Sequence, residues 1–197
     1  MTDENVHLKV AMAEVLGLFL VSLVAILVGM YGLEVVDGFA AIGTIGGVIP
    51  WIGAGLLLCT LVAFWNENIL VTAAFGVFAI FCLSFNGMVG GVEGLGGSNN
   101  EQAMYYMIFV GIALAMIGLV SLAQPVKILP VFLFIAALAF IFLGLWYNGL
   151  AEGNADDYRT IVGVLWTVAA LLALYMATAI SFLVVKGKPV LPLLITK

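Results

Sequence analysis

The sequence predicts an all-α integral membrane protein of six transmembrane helices with both termini in the cytoplasm, and three observations carry that reading. Asp, Glu, Lys and Arg make up only 9% of the 197 residues and hydrophobic residues 65%, with a mean hydropathy of +1.28; a soluble domain carries about 25% charge. So few charged groups cannot cover a water-facing surface, which excludes a freely dispersed soluble protein. The charges also leave six stretches free of them, 15–33, 38–66, 68–92, 102–126, 128–151 and 160–185. Each is long enough for the ~20 residues that cross a ~30 Å hydrocarbon core. Finally, the stretches lack the apolar–polar alternation of a barrel strand: residues 128–146 are continuously apolar, as suits a helix that satisfies its own backbone in lipid.

The expected spans are 11–33, 39–64, 69–86, 103–122, 128–147 and 160–185, in one membrane domain over 1–197. Six spans of ~20 residues leave roughly 77 residues for tails and loops, too few for a separate domain. Lys9, Lys127, Lys186, Lys188 and Lys197 fall on the side of the termini, and Arg159 alone on the other. Lys and Arg concentrate in cytoplasmic loops, so the termini are expected in the cytoplasm. Glu34, Asp37, Glu93, Glu101, Glu152, Asp156 and Asp157 fall outside, giving an acidic outer rim that accounts for the net charge of −5. The acidic start, with no basic n-region, is not that of a cleaved signal peptide.

Span one holds Glu14 at its edge and Ser22 within it. A carboxylate near lipid depth is costly unless it faces a cavity, a partner or water, so Glu14 is either an interfacial residue or part of a pathway. Span two carries Gly43 and Gly47, a small-xxx-small pair suited to close helix approach, then Pro50, which removes a backbone donor. Gly46, Gly47 and Pro50 are the expected helix break, either opening backbone to a solute path or tolerated in close packing. Between spans two and three, Glu67, flanked by Asn66 and Asn68, is expected to cap the third helix.

Span three contains Thr72 and Ser84, and a glycine-rich connection follows it over 86–100. That connection lacks the Gly-Lys-Ser/Thr ending of a phosphate loop and reads as an external loop. The short Gln124–Lys127 connection joins spans four and five as antiparallel neighbours. Hydroxyls along the spans, Ser22 and Thr72 among them, either line a narrow path or bond back to the preceding turn. His7 is the only histidine, and Cys59 and Cys82 lie in apolar runs with no ligand partners, so both cysteines are expected to be packing residues. No catalytic constellation, metal site or cofactor is expected, so the chain reads as no enzyme. The lipid bilayer is its expected setting, and no nucleic acid is an expected partner.

Five local features occur together in one order. They are Ala13-Glu14-Val15-Leu16-Gly17-Leu18; Asp37-Gly38 with Gly46-Gly47 and Ala54-Gly55-Leu56-Leu57; Asn68 with Thr72-Ala73-Ala74-Phe75-Gly76; Asn100-Glu101-Gln102; and Tyr175-Met176-Ala177 with Pro189-Val190-Leu191-Pro192. In that order they resemble the acetate uptake transporter family, over nearly the whole chain. The resemblance implies a six-helix protomer in a hexameric ring. Each protomer would have its own pore for acetate or a similar monocarboxylate, moved protonated or with a proton, in a plasma membrane that is expected to be prokaryotic.

The resemblance also implies an apolar pinch supplied by spans one, three and five. Its positions fall at Val21 with Phe19 as rival, at Phe78 with Val77 as rival, and at Ala136 with Leu138 as the bulkier substitute. The chain departs from the family in lacking the Asn and both prolines of the N-terminal signature and in carrying Glu14 there. It also has Phe where a Tyr is usual if Phe78 is the matching residue. No Lys or Arg stands at membrane depth to offset a buried carboxylate, so passage in protonated form is expected. Two other readings stay open: a channel for neutral solutes such as urea or short amides, and an accessory subunit of a larger membrane complex.

Overall fold

The computed structural model describes residues 3–36, 38–89, 100–152, 156–188 and 190–192. They form six helices, α1 (Asp3–Gly32), α2 (Gly38–Trp65), α3 (Ile69–Val89), α4 (Asn100–Ser121), α5 (Ile128–Glu152) and α6 (Asp156–Lys186), with no β-strand among the described residues. All six are long and apolar enough to cross a membrane. The segment 90–99, which holds most of the glycine-rich connection, lies outside the described residues.

The helices pack in chain order, each on its sequence neighbours, and α6 returns to pack on α1, so the six close into a tube. Glycines let two seams close tightly, as small residues do where lipid offers no hydrophobic drive to associate. On the α1–α6 seam a Cβ at Gly32 would stand 2.7 Å from the Gly163 backbone. On the α4–α5 seam a Cβ at Gly111 would stand 2.7 Å from the Ala137 carbonyl oxygen. Across the middle only α1 and α3 backbones approach each other; no Cα of α3 lies within 8 Å of one in α5 among the described residues. The outer surface is apolar on every helix, with Leu23, Leu58, Leu83, Phe109, Leu138 and Leu171 exposed. That is the surface a helical bundle presents to lipid.

The expected break in α2 does not occur. The helix runs unbroken through Pro50 from Gly38 to Trp65. The proline's missing N–H leaves one carbonyl unpaired, which membrane helices tolerate where neighbours hold the turns on either side, and here Ile49 and Ile52 are buried in the core. Gly46 faces Asn86 on α3, while a Cβ on Gly47 would meet nothing within 4 Å; Gly47 thus packs against no other element among the described residues. The capping residue of α3 also differs from expectation. Asn68 Oδ1 accepts from the Val71 N–H at 3.3 Å, whereas Glu67 is exposed in a left-handed turn with φ of 59°.

Candidate functional site

The tube is filled at mid-depth by aromatic rings of α3, α5 and α6, those of α3 reaching across to α5 although the two backbones do not touch. Phe78 of α3 stacks on Phe132 of α5 at 6.4 Å and tilts against Phe140 at 5.6 Å. Phe81 meets Phe140 edge-on at 4.6 Å, and Phe140 in turn meets Trp166 of α6 at 4.8 Å. All five residues are at most 2% exposed. Edge-to-face pairs at these separations add roughly 0.5–1.5 kcal/mol each to the burial of the rings. The Trp166 indole N–H, the one polar atom in this group, donates to the Ala139 carbonyl at 3.2 Å. The plug is therefore buried, apolar and internally satisfied.

On one side the plug forms the floor of a cavity, at the end of the tube that carries the α2–α3 and α4–α5 connections, hereafter the near end. Its volume is about 100 Å³, two thirds of a cavity that admits benzene at about 150 Å³. Leu18, Phe75, Phe78, Phe132, Leu133 and Met176 are among its apolar walls, and Glu14, Asn68 and Gln124 supply its polar side chains. The half-buried Glu14 accepts a 2.7 Å hydrogen bond at Oε1 from Asn68 Nδ2. This bond ties α1 to the N-cap of α3. Beside the cavity, the Tyr175 hydroxyl donates to the Pro192 carbonyl at 2.8 Å and fastens the segment after α6.

The far end is built differently. Arg159 of α6 pairs with Glu34 after α1 and lies over the Tyr31 ring, 5.6 Å from its centroid. Tyr31 in turn packs against Trp146 of α5 at 5.3 Å. The lone cation of that face is thus already matched by a carboxylate.

Each residue expected at the pinch or along the path can now be placed. Val21, Phe78 and Ala136 are buried, with Ala136 one turn from both Phe132 and Phe140 on α5. Phe19 is only partly buried, and so is Val77, whereas Phe78 lines the cavity. Leu138 is 47% exposed on the outside of α5, and a side chain on that face cannot line a path inside the tube. Ser22 is buried and bonds back to the Phe19 carbonyl at 2.7 Å, so its hydroxyl is occupied within its own helix. Thr60, Thr167, Thr178 and Ser181 bond back in the same way. Among the described residues, Thr72 is not part of the cavity lining and its buried Oγ1 has no hydrogen-bond partner. Cys59 and Cys82 are free and buried, as packing residues.

Phe75, Phe81, Phe132, Phe140, Trp166 and the Asn68 partner of Glu14 were not anticipated. A signal for some of them exists: Phe75, Phe78, Phe81 and Phe85 recur at helical spacing along α3, as do Phe132, Ala136 and Phe140 along α5. The pairing of Asn68 with Glu14, across 54 residues of sequence, has none.

No family model and no curated protein sequence matches the chain. Among solved structures, the bacterial acetate channel SatP matches with a TM-score of 0.79 over 91% of this chain and 97% of that one, at 20% identity. The chain has the fold of that channel. The likeness extends over almost the full length of SatP, so the six-helix tube and its closure belong to the shared architecture.

Proposed function

We propose that the chain is a membrane channel or transporter for acetate or a similar short monocarboxylic acid, crossing in protonated form or together with a proton. The observation that carries this reading is the closed tube whose axis runs from a small cavity, with no cation among the described residues that line it, into an aromatic plug. The shared fold with an acetate channel supports it. A bare carboxylate entering such a plug loses its hydration at an effective cost of several kcal/mol with no counter-charge to offset it. The neutral acid loses hydrogen bonds worth roughly 2–7 kcal/mol and keeps its methyl group in apolar contact. Apolar constrictions admit solutes that shed charge and hydration readily.

The setting we infer is a bacterial plasma membrane, with both termini and the near-end cavity in the cytoplasm, as the Lys distribution favours. The family resemblance supports a homo-oligomer, with a hexamer as its expected size. The apolar walls and the carboxamides of Asn68 and Gln124 also suit a neutral amide, which makes an amide or urea channel the second reading. Uptake of labelled acetate, acetamide and urea into proteoliposomes separates the two. Acetate uptake that falls as pH rises supports the first reading. Uptake that rises with pH overturns it, and uptake of the amides without acetate establishes the second.

A further inference from the structure

Glu14 stands at the entrance of the cavity with only one of its oxygens engaged by Asn68. Asn68 cannot reverse its amide without losing the cap, because Oδ1 accepts from the Val71 N–H. The donor end, Nδ2, is therefore held on Glu14 Oε1 at 2.7 Å. An oxygen that accepts from a fixed N–H is not the one that bears a proton, so Oε2 is the oxygen left for a proton or a ligand.

Among the described residues, the surroundings of Glu14 offer no competing charge. Facing the cavity, α3 contributes Asn68, the α4–α5 connection Gln124, α5 Leu129, Phe132 and Leu133, and α6 Met176 and Ile180; among the described residues that line it, only Glu14 ionises. Of the other charged groups described at the near end, Glu67, Lys186 and Lys188 are exposed and the Lys127 ammonium donates to the Leu122 carbonyl; the side chains of residues 1–12 lie outside the described residues. A carboxylate solute entering here meets a second carboxyl and, among the described lining residues, no cation.

Two carboxylates that share one poorly hydrated site cannot both be ionised. One proton between them forms a charge-assisted O–H···O bond of about 2.5–2.7 Å. We infer that Glu14, oriented by Asn68, shares a single proton with the solute carboxyl at the near mouth, so the cavity takes up one proton with each monocarboxylate it binds. The proton comes from solution onto the pair. As the solute moves past Phe78 it leaves as the neutral acid, and Glu14 remains as a carboxylate on Asn68. Only O–H bonds are made and broken.

This inference rests on the chain being a monocarboxylate pathway, and the test keeps the two apart. Initial rates of labelled acetate uptake into proteoliposomes are measured across concentrations between about pH 5.5 and 7.5, above the ordinary carboxyl pKa of about 4. For the unaltered protein the apparent KM is expected to rise about tenfold per pH unit, the slope of one linked proton. In Glu14→Gln, whose amide oxygen still accepts from Asn68, the KM becomes independent of pH, while kcat becomes pH-dependent, because the solute now binds as the anion and must take up a proton before it crosses the unchanged plug. A merely structural role would scale the rate alike at every pH, and an unchanged KM slope in Glu14→Gln overturns the inference.

Asn68→Asp keeps an acceptor for the Val71 N–H and adds a second carboxyl. Its KM near pH 7.5 should rise at least several-fold, and an unchanged value counts against the inference. This variant decides the matter if Glu14→Gln does not accumulate. Absence of acetate uptake by the unaltered protein would sink the functional reading itself.

Discussion

The cavity and the plug beneath it are both walled by apolar side chains and are joined at Phe78, yet they solve different problems. The cavity holds a carboxyl and two carboxamides within about 100 Å³ of open space. The plug holds five aromatic residues, all buried, with its one indole N–H already bonded. On the proposed reading, the cavity would hold a polar headgroup and adjust its protonation, whereas the plug would refuse charge. Selection by hydrogen bonding and selection by desolvation would then be separated along one axis, and substitutions should act on them one at a time.

The largest effect should come from Phe140→Ala, because that ring touches Phe78, Phe81 and Trp166 at once. Removing it costs about 3–5 kcal/mol by lost burial and residual cavity. It should also let water and small ions through, read as a proton or potassium leak in proteoliposomes; a tight vesicle would show that the plug is not the barrier. Ala136→Leu acts in the opposite sense, filling the space between Phe132 and Phe140. Over-packing there is expected to cost about 1–3 kcal/mol and to slow acetate uptake while leaving the KM set at the cavity unchanged. A rise in KM without slower uptake would merge the two regions into one. The smallest effect belongs to Leu138→Ala, on the outer face two residues away. Stability should move by no more than about 0.5 kcal/mol and uptake not at all, and a loss of uptake would place Leu138 on the path after all.

The contrast between Ala136 and Leu138 also marks how far the sequence could be read. Six spans follow from where charges are absent, because lipid demands long apolar runs and the chain obeys. Which side of a span faces inward does not follow, because the interior and the lipid are equally apolar and no polar face distinguishes them. Leu138 was the better pinch residue by size, and only the helix's rotation about its axis puts the smaller Ala136 inside. The regular phenylalanines of α3 and α5 were the usable clue, since same-face repetition of one bulky residue within a uniform run implies a common partner. Pro50 misled for a related reason: its effect depends on the packing of Ile49 and Ile52, which composition does not report. Glu14 was legible as an anomaly at the span's edge, but its partner Asn68 was legible only as a possible flank to a cap.

The seam between α1 and α6 carries a consequence for how the molecule is made. α1 can be completed against its far neighbour α6 only after α6 has been synthesised. Until then the rings of Phe81 and Phe140 lack their Trp166 partner. Gly29, Gly32 and Gly163 thus act as a latch that is engaged last, so a chain interrupted before α6 should be a substrate for membrane quality control.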